Sequence, residues 1–299
     1  MSWPTWSVTS IIRRRCEYVM ADGGVAMKSG LDIELSEPEF RLLQQLFYDR
    51  VGIQLPPVKK PLICGRLSKR LGALRMRSYQ QYYQHLISPA GEAELEVAID
   101  LITTHETYFF REPKHFDFLQ QKILPAVAAQ PDFRVWSAAS STGEEAYTLA
   151  MLLDTGRSHR PWNVVATDIS QQVLANARRG LYVMARGEKI PAHYLKRYCL
   201  RGRDRYEGYF LVEPALRERV EFRPGNLTKS APELGQFDLI LLRNVLIYFD
   251  LPTKQLVLNN VVERLKPGGW LMVGHSEALH DNQLPLELVS SSIYRKVAR

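Results

Sequence analysis

The sequence predicts an α/β protein in which a doubly wound, mostly parallel sheet follows an all-helical unit and carries an insertion. Three observations predict this class. Residues 31–105 show helical periodicity without a strand pattern, and from about residue 131 apolar strands alternate with helices. Residues 181–223 interrupt that alternation with basic, aromatic and glycine residues, which indicates an inserted subdomain. At 299 residues the chain can bury a large core.

The helical unit is predicted to contain four helices. Residues 36–39 read SEPE, a capping-box pattern with an early proline, and apolar residues follow at helical spacing. After a break at Pro56 and Pro57, we expect helices over 60–75, from residue 79, and over about 92–103. Residues 1–30 are expected to be a flexible extension, and residues 106–299 a second domain.

The sheet is predicted from four apolar runs, each bounded by helices or turns. They cover residues 133–136, 162–166, 237–242 and 270–273, and the last follows a Pro-Gly-Gly turn at 267–269. Helices are expected over 144–153, 170–179 and 253–265. Residues 286–289 and 293–297 are expected to close the sheet as an antiparallel hairpin.

Composition excludes several classes of protein. The net charge of +7 favours an acidic partner, and no long apolar run predicts membrane insertion. The three cysteines, Cys16, Cys64 and Cys199, form neither a disulfide framework nor a metal motif. We therefore expect a cytoplasmic protein without a metal.

A turn of small residues predicts the ligand. Residues 137–143 read SAASSTG between a strand and a helix, and Asp168 ends the next strand 25 residues after Gly143. In doubly wound folds an acidic residue at about that distance accepts hydrogen bonds from a ribose. An ordinary turn and a helix N-cap are the alternatives, but the two features together indicate an adenosine-containing ligand. Neither a GxGxxG nor a P-loop pattern is present.

Five motifs in order then identify a family. They are TTHETYFFRE (103–112), WSAASSTGEE (136–145), ATDI (166–169), LRNVLIYF (242–249) and GHSE (274–277). From about residue 35 to the C-terminus the chain resembles the CheR family of chemotaxis receptor glutamate methyltransferases. The resemblance implies a Rossmann-like S-adenosylmethionine-dependent methyltransferase domain, an N-terminal all-α domain and a small inserted antiparallel β subdomain.

The resemblance also implies the reaction and its residues. S-adenosylmethionine would be the donor, S-adenosylhomocysteine the product, and glutamates of a chemoreceptor's cytoplasmic helical bundle the acceptors, in chemosensory adaptation. Tyr248 and Arg111 fall where the family lines the reacting centre. The family's cofactor contacts fall on His105, Thr107, Arg111, Glu144, Asp168, Asn226, Leu227, Arg243 and Asn244.

Two departures from the family pattern bear on function. His105 stands where the family usually has asparagine, so the paired hydrogen bonding of an amide is lost. In the insertion, Arg201, Gly202 and Gly208 match a loop with which some members hold a receptor's C-terminal peptide, whereas Leu211 replaces their arginine. The sequence therefore leaves open whether such a peptide docks on the inserted β subdomain.

Residues 59–77 suggest a docking surface for the receptor. This stretch contains seven Lys or Arg residues and no acid, and Arg66, Arg70 and Arg77 are predicted to share a helical face. A basic face that only covers a small core is the alternative. If the face binds receptors, their acidic helices should dock there in a salt-sensitive way.

The chemistry requires positioning more than proton transfer. A glutamate has a pKa near ~4.3, so it is already a nucleophile at neutral pH and needs no general base.

Two other functions remain open. A nucleic-acid methyltransferase is disfavoured because residues 243–248 read RNVLIY without the proline pair of adenine enzymes, and we predict no nucleic-acid partner. A non-catalytic module that senses the donor is the other.

Overall fold

The structure is a computed structural model that describes residues 3–6, 33–157, 159–279 and 283–297. The predicted extension over residues 1–30 therefore lies outside the described residues, apart from 3–6. Within the described ranges, no helix has both the length and the apolar character that crossing a membrane requires.

Within residues 33–105 the chain forms the predicted helices α1 (Glu37–Val51), α2 (Lys60–Ala73), α3 (Tyr79–Leu86) and α4 (Glu92–Ile102). Helix α1 begins at the capping box, because the Ser36 hydroxyl accepts from the Glu39 amide and the Glu39 carboxylate accepts from the Ser36 amide. Helix α2 ends at Ala73, so Arg77 lies beyond it. The prediction that Arg66, Arg70 and Arg77 share one helical face is therefore wrong.

The strands and remaining helices follow the predicted alternation. In chain order the strands are β1 (Thr5–Trp6), β2 (Arg134–Ala138), β3 (Asn163–Asp168), β4 (Leu181–Val183), β5 (Cys199–Gly202), β6 (Tyr209–Val212), β7 (Val220–Pro224), β8 (Phe237–Leu242), β9 (Leu265–Val273), β10 (Leu286–Ser290) and β11 (Ile293–Lys296). The helices are α5 (Pro113–Phe118), α6 (Leu124–Ala126), α7 (Glu144–Gly156), α8 (Gln171–Arg179), α9 (Ala192–Tyr198), α10 (Pro214–Arg217) and α11 (Leu251–Glu263).

Seven strands form the main sheet in the order β10-β11-β9-β8-β2-β3-β7. The five strands from β9 to β7 are parallel, and β11 and β10 add the predicted antiparallel hairpin. The predicted α/β class is confirmed. The Pro-Gly-Gly sequence was expected to precede the last parallel strand, but it lies inside β9. A register shift between Phe237 and Leu239 accommodates the extra residues.

The chain order creates a switch point in the main sheet. From β2 the chain proceeds to β3 and β7 on one side, and then returns to β8 on the other. Ligands of open α/β sheets bind at the carboxyl ends of the strands beside such a point. The segments that follow β2, β3 and β8 are therefore the expected walls of a site.

A second, four-stranded sheet has the order β1-β5-β6-β4 and accounts for most of the insertion. The predicted span 181–223 is too long at its C-terminal end, because Val220–Pro224 pairs in parallel with β3 and belongs to the main sheet. The described N-terminal residues are not a loose extension, since Thr5 and Trp6 pair with β5.

Two apolar cores hold these layers together. One joins the helical unit to a face of the main sheet, with Phe47 and Leu71 in the same cluster as Ile240. The other joins the opposite face to α7 and the small sheet, with Leu149 and Phe210 in the same cluster as Val164. The helical unit therefore packs against one face of the main sheet.

Candidate active site

A cavity opens where the helical unit meets the carboxyl ends of β2, β3 and β8. Nine of the ten residues that the family resemblance places at the cofactor or the reacting centre line it: His105, Thr107, Arg111, Asp168, Asn226, Leu227, Arg243, Asn244 and Tyr248. These residues come from four separate stretches of the sequence, so only the folded chain brings them together. The tenth, Glu144, does not line the cavity.

The turn after β2 forms one wall and has an unusual backbone. Ala139 and Ser141 have positive φ values of 66° and 50°, and Gly143 has a φ of 95°. A Cβ atom on Gly143 would lie 2.9 Å from the Cβ of Ala177, so this position requires glycine for space as well as conformation. The turn leaves the Ser141 amide free to donate across to Asp168.

Asp168 is held rigidly at the end of β3. Its carboxylate accepts from the Ser141 amide at 2.8 Å and from the Ser170 amide at 3.0 Å. Burial raises the pKa of Asp168, while these amide hydrogen bonds oppose the rise. The N-cap of α8 is Ser170, not Asp168, so the N-cap alternative for Asp168 is wrong.

The two neighbouring glutamates at the start of α7 point in different directions. Glu144 is fully buried, accepts from the Thr142 hydroxyl at 2.6 Å and lies 3.0 Å from Arg186 of the insertion. Glu145 lines the cavity instead. Successive helical residues project about 100° apart, so the first turn of α7 can aim only one carboxylate at the cavity. Glu145, and not the predicted Glu144, therefore faces the cavity in this structure.

Arg243 is the centre of an ionic network in the cavity wall. Its guanidinium lies 2.7 Å from Glu145 and 3.1 Å from Glu112, and it also donates to the Arg111 carbonyl. Only 5% of Arg243 is exposed. Glu112 accepts in addition from the Asn244 amide group at 3.2 Å, and the positive charge of Arg243 helps to lower the pKa of Glu112 against the effect of burial. The network connects the segments after β8 and before α5.

Arg111 lies in a strained stretch of backbone. Its neighbours Phe110 and Glu112 have φ values of 56° and 57°, which side-chain-bearing residues rarely adopt. The Arg111 side chain donates to the Glu106 carbonyl at 2.6 Å and lies 5.8 Å from the Tyr108 ring. Such strain costs about 1–3 kcal/mol for each residue and is concentrated at functional sites.

Tyr248 is presented by a short turn that Glu277 holds in place. The buried Glu277 carboxylate accepts from the amides of Asn244, Ile247 and Gly274 at 2.6, 3.2 and 2.9 Å. Asn244 itself has a φ of 58°. The sequence motif containing Glu277 pointed to the family without assigning this residue a role, and the three amide bonds supply one. Glu277 supports the segment that carries both Asn244 and Tyr248.

The remaining predicted residues are tied to the protein as well as to the cavity. His105 lies 2.8 Å from the Thr103 hydroxyl and 3.5 Å from Asp100. Asn226 donates to the Arg50 carbonyl at 2.9 Å and accepts from Thr228. Thr107 accepts at its carbonyl from Arg186 at 2.7 Å.

Comparison with known proteins identifies the family. The all-alpha domain of CheR methyltransferases matches residues 38–103, and their SAM binding domain matches residues 105–295. The chain belongs to the CheR methyltransferase family. A chemotaxis protein methyltransferase of Borreliella burgdorferi is 37% identical over 280 residues, covering 90% of this chain and 98% of that protein. One of Escherichia coli strain K12 is 39% identical over 265 residues, covering 88% of this chain and 92% of that protein.

Solved structures show a more distant similarity. The glycopeptide N-methyltransferase MtfA complexed with S-adenosylmethionine is 17% identical, with a TM-score of 0.34 over 62% of this chain and 59% of that chain. The family assignment therefore depends on the sequence relatives.

The cavity of this CheR-family protein fits the donor of its family. S-adenosylmethionine carries an amino-acid zwitterion, a positively charged sulfur and ribose hydroxyls. Charges of both signs line the cavity, with Arg111 and Arg243 set against Glu145 and Asp168. The buried Ser140 hydroxyl also lines it and has no hydrogen-bond partner among the described residues. A ligand with donors, acceptors and a positive centre suits these groups.

The basic stretch of the helical unit is divided between structural and exposed residues. Arg70 makes two hydrogen bonds to the buried Glu94, at 2.8 and 2.6 Å, and Arg66 donates to the carbonyls of Leu101 and Thr103. Arg77 is exposed. The solvent-facing cations of this stretch are Lys59, Lys69, Arg75 and Arg77.

Proposed function

We propose that the protein transfers the methyl group of S-adenosylmethionine to glutamate carboxylates of chemoreceptor cytoplasmic domains, in the cytoplasm, as part of chemosensory adaptation. The observation that carries the proposal is the cavity. There the family's motifs bring together the guanidinium groups of Arg111 and Arg243 and the carboxylate of Asp168, which stands where a ribose would bind. The named function of the curated relatives supports the same reaction.

The donor would be held by residues of all three strand ends. Asp168 would accept from the ribose hydroxyls, and the tight turn at 139–143 would let the backbone approach the ligand. Glu145 and Arg243 offer opposite charges to the amino-acid end. His105, Thr107, Asn226, Leu227 and Asn244 would complete the walls. Glu144 would act indirectly, by fixing the turn against Arg186.

Arg111 and Tyr248 would position the acceptor. When bound, S-adenosylmethionine supplies an electrophilic methyl group on a positively charged sulfur. The Arg111 guanidinium can bind an incoming carboxylate through two hydrogen bonds, and Tyr248 can donate a third. Because the acceptor carboxylate is ionised at neutral pH, the protein has to supply orientation and exclusion of water, not a base.

The acceptor surface is proposed around the exposed cations near α2. Receptor helices bear glutamates, so Lys59, Lys69, Arg75 and Arg77 would attract them, whereas Arg66 and Arg70 are largely occupied within the protein. Lys59 also lines the cavity, which links this surface to the reacting centre. Salt screens the attraction between solvent-exposed charges, so docking should weaken as salt is added.

The experiment is incubation with methyl-labelled S-adenosylmethionine and receptor cytoplasmic domains, scored by base-labile release of labelled methanol. We expect release with the wild type and a loss of at least about 100-fold with Arg111→Ala, because carboxylate orientation is lost. Arg41→Ala, on the exposed side of α1, is the matched control. Binding of the donor without any methyl ester would support a sensing module instead, and label on nucleic acid would support a nucleic-acid methyltransferase.

A further inference from the structure

Glu112, His115 and His275 form a cluster of metal-ligating side chains, called here the histidine cluster. One ligand atom from each residue lies within 4.8 Å of the other two. The rings of His115 and His275 are 4.8 Å apart, with an angle of 65° between their planes. Arg111 and Phe116, the chain neighbours of Glu112 and His115, line the cavity, whereas the three cluster residues do not. The histidine cluster therefore lies next to the donor site without being part of it.

The backbone fixes the positions of these side chains. Glu112 and His115 are three residues apart where α5 begins, and the His115 amide donates to the Glu112 carbonyl at 3.1 Å. His275 follows β9, and its amide lies 3.5 Å from the Glu112 carboxylate. The turn at His275 is held because the Glu277 carboxylate accepts from the Gly274 amide. The fold itself therefore brings the three side chains together.

His115 is a buried polar side chain without a hydrogen-bond partner. It is 1% exposed, and neither Nδ1 nor Nε2 of its ring has a partner among the described residues. A neutral imidazole carries one donor and one acceptor, and leaving such groups unpaired in the interior costs free energy. Buried groups of this kind need an explanation, and a bound ion is one of the recognised explanations. His275 is exposed, so an ion can reach the cluster from solvent.

The spacing of His115 and Glu112 suits a zinc ion better than a hydrogen bond. Nδ1 of His115 lies 3.4 Å from a carboxylate oxygen of Glu112 without being hydrogen-bonded to it. Two ligands of a tetrahedral Zn²⁺, each about 2.1 Å from the ion, are about 3.4 Å apart. Two imidazoles and one carboxylate are also a known ligand set of zinc sites that leave a fourth position to water. The exposed ring of His275 can turn to supply the third protein ligand.

The charge around the cluster allows a cation to bind. The guanidinium of Arg243 lies 3.1 Å from Glu112 and repels a cation there. However, Glu145 lies 2.7 Å from the same guanidinium. The two carboxylates and the one guanidinium together leave one negative charge in excess. A cation on Glu112 is therefore tolerated, but it competes with Arg243 for that carboxylate.

We propose that the histidine cluster is a binding site for Zn²⁺, with Glu112, His115 and His275 as ligands, and that the bound ion inhibits the enzyme. The ion withdraws negative charge from Glu112, which weakens its ion pair with Arg243 and its hydrogen bond from Asn244. Because Arg243 and Asn244 line the cavity, the affinity for the donor and its product falls. The ion is an inhibitor and not a cofactor. The inhibition rests on the proposed function, whereas binding of the ion does not.

The first test measures Zn²⁺ binding to the full chain by isothermal titration calorimetry in a buffer that does not chelate metals. His275→Ala should bind Zn²⁺ at least about tenfold more weakly than the wild type, because losing even an indirect contact to a metal site costs that much. His193→Ala is the matched control, since His193 is an exposed histidine of α9, and it should keep the wild-type affinity. Equal affinity of the wild type and His275→Ala, or no binding to the wild type, would overturn the proposal.

The second test identifies the buried ligand by nitrogen NMR on protein with isotope-labelled histidine. The signal of the His115 ring should shift when Zn²⁺ is added, and that of His193 should not. Binding of Zn²⁺ without a shift at His115 would place the ion elsewhere and contradict the proposed site.

The third test measures the affinity for S-adenosylhomocysteine with and without saturating Zn²⁺. In the wild type the ion should weaken this affinity by about fivefold or more, the usual size of a coupling between two sites. In His275→Ala, at a Zn²⁺ concentration that the variant does not bind, the affinity should stay the same. An unchanged affinity in the wild type would contradict the inhibition. If S-adenosylhomocysteine bound neither protein, the proposed function would fail, whereas the Zn²⁺ titration would still decide the metal site.

Discussion

Arg243 and Glu145 form an ion pair at 2.7 Å in which only 1% of the arginine side chain is exposed. Glu112 lies on the other side of the same guanidinium at 3.1 Å. The arginine follows β8, and the two glutamates begin α7 and precede α5. A single buried cation therefore joins three segments that form the walls of the cavity, and its loss should affect the fold as well as the ligand.

We expect Arg243→Ala to lower the free energy of unfolding by about 3–5 kcal/mol, because it leaves two carboxylates without their buried partner. Urea unfolding measures this effect. Arg111→Ala is the matched control, since Arg111 is half-buried and no ion pair to it is present among the described residues. It should cost less than about 1 kcal/mol while abolishing methyl transfer. Similar losses in stability for both variants would contradict the structural role assigned to Arg243.

Asp168→Asn should weaken binding of S-adenosylhomocysteine by about 10- to 100-fold, because hydrogen bonds between ribose hydroxyls and a charged acceptor are lost. Isothermal titration calorimetry measures the affinity. Asp238→Asn is a suitable control, because Asp238 is also buried at the main sheet but bonds to Arg134 and Lys266 outside the cavity. Its stability should fall without a change in affinity. An equal loss of affinity in both variants would indicate a general defect in folding.

The sequence predicts the framework well where local and tertiary signals agree. The capping box at Ser36 places the start of α1, and the strand at 237–242 is predicted to the residue because it is a continuous apolar run. The choice between Glu144 and Glu145 could not be made in the same way. It depends on the rotation of α7 about its axis, and the helix start signal does not specify that angle.

Two other features depend on contacts between distant residues. Strand β1 has two residues and no strand pattern, so the local sequence predicts neither its pairing with β5 nor the contact of Trp6 with the Tyr206 ring. Helical spacing places Arg70 among the docking cations and does not reveal its partner, Glu94, which belongs to another helix. Neither partner is visible from sequence spacing, since each contact forms only when separate elements pack.

Substitution of Arg70 should lower the stability of the protein, whereas substitution of Arg77 should lower the rate of receptor methylation. Arg70→Ala leaves Glu94, which is 7% exposed, with the Tyr82 hydroxyl at 2.8 Å as its one remaining hydrogen-bond partner among the described residues, and should cost about 1–3 kcal/mol of stability. Arg77→Glu should leave stability unchanged and slow receptor methylation. That defect should disappear in about 1 M salt, where charges are screened within ~3 Å. Methylation rates across a salt series, together with urea unfolding, test the pair. A salt-independent defect in Arg77→Glu would exclude electrostatic docking at this position.

His105 should make stability depend on pH near neutrality. Burial opposes its charged form, but the hydrogen bond to Asp100 and the negative charges of Asp168 and Asp100 outweigh it, so the pKa of His105 is raised. A raised pKa in the folded state stabilises the protein fully below the unfolded value of ~6.5, and this contribution is lost as pH rises through the folded value. The free energy of unfolding should therefore decrease above about pH 6.5 in the wild type.

His105→Asn, which restores the family's usual residue, should remove that decrease, because an amide does not titrate. Urea unfolding of both proteins from pH 6 to pH 8.5 measures the difference. Parallel pH profiles would mean that His105 carries the same charge in the folded and unfolded states.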